Sequence, residues 1–74
     1  MEKVLAINLS RFLKAEMKRM GITYSDLASR LAEQGLNETE ASITSKLARG
    51  TFPATFFIAT LKALKIETIN VNNI

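Results

Sequence analysis

The ten residues Ala41–Gly50, ASITSKLARG, carry the densest hydrogen-bonding chemistry in the chain. Ile43 and Leu47 stand four apart, the spacing of a buried helical stripe, and Ser42, Thr44, Ser45, Lys46 and Arg49 surround them. Hydroxyls donate to or accept from base edges, and a lysine bonds guanine or a phosphate. A helix with this set on its outer side therefore suits the major groove of double-stranded DNA. Arg49, leaving the helix beside Gly50 and Thr51, is placed to hold the other side of the groove. Thr23, Tyr24 and Ser25 form a second cluster, three hydroxyls at a helix start where free amides and the dipole favour phosphate. Plainer roles fit the same residues: Tyr24 suits packing, Lys46 and Arg49 complement the end of their own helix dipole, and the hydroxyls suit a solvated surface.

Enzymatic chemistry is not written here. The chain has no His and no Cys. Asp26, Glu33, Glu38 and Glu40 fall where helix capping and surface pairing explain them. No phosphate loop, dinucleotide fingerprint or metal-ligand spacing is present, so no catalysis, cofactor, metal or small-molecule substrate is implied. The lack of cysteine suits a reducing cytoplasm. No apolar run approaches the ~20 residues that span a bilayer. Asn8, Ser10, Arg11 and Lys14 interrupt the N-terminal stretch, which therefore does not read as a signal peptide.

The net charge of +3 favours an anionic partner only weakly. Lys3, Arg11, Lys14, Lys18 and Arg19, against Glu2 and Glu16, account for all of it within the first twenty residues. Arg11, Lys14 and Lys18 share one helical face and read first as a solubility feature. At 74 residues the chain is a single domain, 1–74, with 47% hydrophobic residues to form a core.

Four helices must position these groups. The first is expected from about Asn8 or Leu9 to Met20, with Leu9, Leu13, Met17 and Met20 in its stripe and Gly21 at its stop. The second follows Thr23 as N-cap with Asp26 three residues on, buries Tyr24, Leu27, Ala28, Leu31 and Ala32, pairs Asp26 with Arg30, and stops at Gly35. The third starts at Asn37 with Glu40 at N3, or at the rival cap Thr39, and ends at Gly50. The fourth takes Pro53 as its first residue and runs through Phe56, Phe57, Ile58, Leu61 and Leu64, apolar around much of its girth. In the tail, 67–74, Ile69 and Val71 alternate with polar residues, which fits a short strand as well as a loose end; KVLAI near the N-terminus is also β-tolerant. The expected fold is all-α, a compact bundle of four to five short helices with a helix-turn-helix core at about 9–66.

Two stretches resemble lambda-repressor-like helix-turn-helix domains: MGITYSDLASRLAEQG, and ITSKLARGTFPATFFIATLKALKI. Within that class the pattern is similar to a bacterial family of uncharacterised function. Its Y-x-x-L-A-x-x-L run falls on Tyr24, Leu27, Ala28 and Leu31, and its I-x-x-K-L-x-R-G-x-F run on Ile43, Lys46, Leu47, Arg49, Gly50 and Phe52. The resemblance implies a transcription regulator that binds DNA as a homodimer. The sequence departs from the pattern in two places. Ala28 and Ile43 lie fifteen positions apart, which lengthens the turn, and Glu38 and Glu40 put negative charge at the end of the third helix that enters a groove.

A rival reading is a protein-interaction adaptor or antitoxin-like module on the same scaffold. Its contact residues would be Phe56 and Phe57, with Ile69 and Val71 of the tail.

Overall fold

A computed structural model describes residues 2–74. The described residues form α1 (Glu2–Met20), α2 (Tyr24–Glu33), α3 (Glu40–Arg49), α4 (Ala54–Ala63) and a closing 3-10 turn, Val71–Asn73. No strand occurs among them, and no helix is long and apolar enough to cross a membrane.

The first helix begins well before Asn8. Glu2–Ile7 consists largely of good helix formers, with Glu2 in the first turn where the dipole favours an acid, so the β-tolerant KVLAI segment is helical. Its buried face is Ser10, Leu13 and Met17, while Met20, expected in the stripe, is exposed. The helices α1 and α3 meet where Gly50 ends α3. There Gly50 has φ +69°, and a Cβ on it would collide with the Ala6 carbonyl, whose carbon would lie 2.7 Å away. Only glycine gives both the left-handed turn and the close approach.

The second helix starts on the expected capping box. The Thr23 hydroxyl accepts from the Asp26 amide at 3.0 Å, and the Asp26 carboxylate accepts from the Thr23 amide at 3.0 Å. The bond from the Thr23 amide, with the Thr23 side chain beside it, holds the Asp26 carboxyl below its usual range, with a small further contribution from the charge of Arg30. Arg30 does not form the expected hydrogen-bonded pair with Asp26. It turns to α4 and donates to the Ala63 carbonyl at 2.7 Å, while Gln34 donates to the Ala59 carbonyl at 2.8 Å. A last-turn carbonyl lacks an intrahelical donor, which is why the guanidinium is drawn to Ala63.

Residues 34–39 join α2 to α3, and each end of this long linker is bonded down. Gln34 holds its start to α4, and half-buried Leu36 packs on the core. Thr39, rather than Asn37, caps α3: its hydroxyl accepts from the Ser42 amide at 3.0 Å, and Ser42 Oγ accepts from the Thr39 amide at 2.8 Å.

The fourth helix packs on α2. Phe56, Ala59, Thr60, Leu61 and Ala63 are buried on it, and its apolar members share one core with Leu13 and Met17 of α1, Leu27 and Leu31 of α2, and Ile43 and Leu47 of α3. Pro53 is its N-cap and not its first helical residue, so the helix starts one residue later than expected, at Ala54. The half-buried Phe52 ring lies 5.1 Å from that of Phe56 and closes the α3–α4 loop over the core. Beyond α4, Lys65 takes φ 57°, a left-handed conformation, so that the Ile66 amide can reach the Leu61 carbonyl at 2.9 Å.

The tail forms no strand. Asn70 Oδ1 accepts from the Asn72 amide at 3.0 Å, a local side-chain turn that replaces ladder pairing, and Ile69 packs half-buried on the core. The last residue does reach α1: Asn8 Nδ2 donates to the Ile74 carbonyl at 3.4 Å, a long bond.

Candidate nucleic-acid interface

With Ile43 and Leu47 turned inward, the opposite side of α3 presents Ala41, Thr44, Ser45, Ala48 and Arg49 to solvent. This exposed side is what the hydroxyl-rich stretch predicts, and its bonds define what it offers. Thr44 Oγ1 donates to the Glu40 carbonyl at 2.8 Å, leaving a methyl group and a lone pair free. Ser45 Oγ accepts from Arg49 Nη1 at 2.6 Å and keeps its own proton to donate. Arg49, exposed, retains its other N–H groups for an anion.

Lys46 and Ser42 stand apart from this face. Lys46 Nζ donates to both Glu38 oxygens, at 2.8 and 3.0 Å, and lies 5.5 Å above the Phe56 ring centroid. Ser42 Oγ donates to Glu38 at 2.6 Å and belongs to the cap of α3. Both residues are half-buried and engaged in these internal bonds. Burial pushes the Glu38 carboxyl up, but the bonds from Lys46 and Ser42 and the lysine charge outweigh it and bring the group below its ordinary value. The charge of Glu38 is thus matched by that of Lys46. Glu40 remains an exposed carboxylate in the first turn of α3.

Thr23, Tyr24 and Ser25 form a separate cluster at the start of α2. Thr23 is occupied as cap, Tyr24 is half-buried against the core, and Ser25 is exposed. Because the capping box uses the amides of Thr23 and Asp26, and the Leu27 amide bonds the Thr23 carbonyl, the Tyr24 and Ser25 amides are those the box leaves over for an anion.

Thr51 is exposed just beyond α3 and lines a surface groove with Ala48 and Arg49 of α3 and Glu2, Lys3, Ala6 and Ile7 of α1. Lys3 lines this groove too, a position that a first helix starting at Asn8 gives no reason to expect. The signal was present in the pairing of Ala6 with Gly50, two small residues that let the backbones touch.

The apolar contact set changes too. Phe56 is buried at the centre of the core, Phe57 is half-buried, and Ile69 packs inward, so these are core and near-core residues and not an exposed anchor. Val71 is 78% exposed, as that reading requires. The larger exposed apolar group is on the first turns of α1, where Val4, Leu5 and Ile7 face solvent.

Residues 6–69 match the family model described as Domain of unknown function (DUF6471). No curated protein and no solved structure matches the chain.

Proposed function

The chain belongs to that DUF6471 family, and we propose that it binds double-stranded DNA in the manner of a helix-turn-helix transcription regulator, with α3 laid in the major groove. The observation that carries this reading is the outward side of α3: Ala41, Thr44, Ser45 and Ala48 are exposed and short, with Arg49 at their end. A ten-residue helix is about 15 Å long and about 10–12 Å across with side chains, and the major groove is about 12 Å wide. Short side chains are what let such a helix seat deeply enough for the Ser45 hydroxyl and the Thr44 methyl to reach base edges. The likeness of the α2 and α3 sequences to lambda-repressor-like domains supports the same assignment. The Tyr24 and Ser25 amides at the start of α2 supply a phosphate contact.

Selection of duplex fragments by the purified protein tests the reading, followed by binding measurements on the selected sequence. Thr44→Glu and Ser45→Glu put a carboxylate on the exposed face and are expected to abolish binding while leaving the melting temperature unchanged. Glu40→Gln is expected to strengthen it. No enrichment of any duplex at low salt would contradict the proposal.

A second reading, a protein-interaction module, is favoured by Val4 and Leu5, adjacent residues in the first turn of α1 that are 60% and 58% exposed. A homodimer formed there would also join the two readings. It predicts a mass that rises with concentration and returns to that of one chain in a Val4→Ser/Leu5→Ser variant.

A further inference from the structure

The groove between the front of α1 and the end of α3 shares Ala48 and Arg49 with the face described above, but its α1 side has no part in that reading. We infer that it is a phosphate-binding site that fixes the position of α3 on DNA, with Lys3 and Arg49 as its cations and Thr51 as its hydroxyl donor. The inference rests on the DNA-binding reading and adds a residue, Lys3, and a register to it. Three observations support it. Lys3 and Arg49 come from different helices and line one groove, alongside Thr51, Ala6, Ala48 and Ile7. Their juxtaposition is built in: the contact of Gly50 with the Ala6 carbonyl leaves no room for even a methyl group between the two helices. The groove is also continuous with the outward side of α3, since Ala48 and Arg49 belong to both.

The electrostatics favour an anion there. Lys3 sits in the first turn of α1, beside the amide end of that helix, where the dipole is positive. Arg49 keeps N–H groups beyond the one given to Ser45, and a guanidinium fork matches two phosphate oxygens. Glu2 lines the same groove and opposes the anion, so the site holds two cations against one carboxylate. A helix seated in the major groove is flanked by the two phosphate strands, and the groove at the α3 end lies where one of them passes. A contact of this kind orients the protein without reading sequence.

Salt dependence separates a phosphate contact from a structural role. Each phosphate neutralised contributes about 0.9 to the slope of log affinity against log salt. The full chain, titrated with a selected duplex over a salt series, is expected to lose about one unit of slope on Lys3→Ala, with no change in melting temperature. Lys62→Ala removes the same charge from the exposed side of α4 and is expected to leave the slope unchanged, while Glu2→Gln raises affinity. If Lys3→Ala leaves the slope of the parent protein, or if Lys62→Ala lowers it equally, the site is overturned while DNA binding stands. If the parent protein binds no duplex at any salt, both the site and the DNA-binding reading fall.

Discussion

Replacing Lys46 by Met should cost stability, because the structure spends this lysine inside the molecule. Its ammonium donates two bonds to Glu38, and the side chains of the pair are 20% and 9% exposed. A fully exposed pair contributes about 0–1 kcal/mol, whereas removing one partner of a buried pair costs about 3–5 kcal/mol. A half-covered pair with two charge-assisted bonds falls between, at about 2 kcal/mol. Methionine keeps most of the side-chain volume over Phe56 and has its own attraction to an aromatic ring, so the loss reports the charge pair. For a domain of this size about 2 kcal/mol lowers the melting temperature by roughly 8–16 °C. The pH dependence gives a second check. The Glu38 carboxyl is depressed in the folded state, so the pair stabilises above the ordinary carboxylate range, and that stabilisation is lost as pH falls through the folded value. Thermal denaturation of the parent, Lys46→Met, Glu38→Gln and the double variant near neutral pH should show a coupling of about 1–2 kcal/mol that is lost as pH falls through the lowered folded value of the Glu38 carboxyl. A Lys46→Met protein melting within about 3 °C of the parent at neutral pH would refute the reasoning.

Two backbone positions make contrasting predictions, both read by urea or thermal denaturation. Gly50→Ala adds a methyl group that meets the Ala6 carbonyl in a left-handed conformation, and should destabilise by more than about 2 kcal/mol; a neutral result would mean that α1 does not abut α3 there. Lys65→Gly relieves a side chain held at φ 57° and should stabilise by about 1 kcal/mol; a loss of stability would show that Lys65 makes a contact outweighing its strain.

Much of this fold is legible in local sequence, because local rules decide it. Thr23 and Asp26 form their box within one turn, and Ile43 and Leu47 specify the inward side of α3 by spacing alone. What the sequence hides depends on distant partners. Ser10 is buried because of where α1 lies against the other helices, which no polarity scale reveals. The expected Asp26–Arg30 pair gave way because an open carbonyl at Ala63, thirty-three residues away, is a better site for the guanidinium. Lys46 looked like a groove contact because its partner, Glu38, precedes the helix and reaches it only after the Thr39 cap folds the linker back. The same coupling pairs Lys46 with Glu38, so the outward side of α3 is left with Thr44, Ser45 and Arg49 as its exposed polar side chains beyond the first turn. The Ile69 and Val71 alternation suggested a strand, but the Asn70 side chain supplies a local bond that closes a turn instead.

The central claim is that the outward side of α3 meets duplex DNA. Titrating isotope-labelled protein with a selected duplex while following the amide resonances tests it residue by residue. The account predicts shifts concentrated at Ala41, Thr44, Ser45, Ala48 and Arg49, with Tyr24 and Ser25 moving next and the Lys14 and Lys18 face of α1 unmoved. Shifts confined to Val4 and Leu5, or no shift at any duplex concentration, would contradict it.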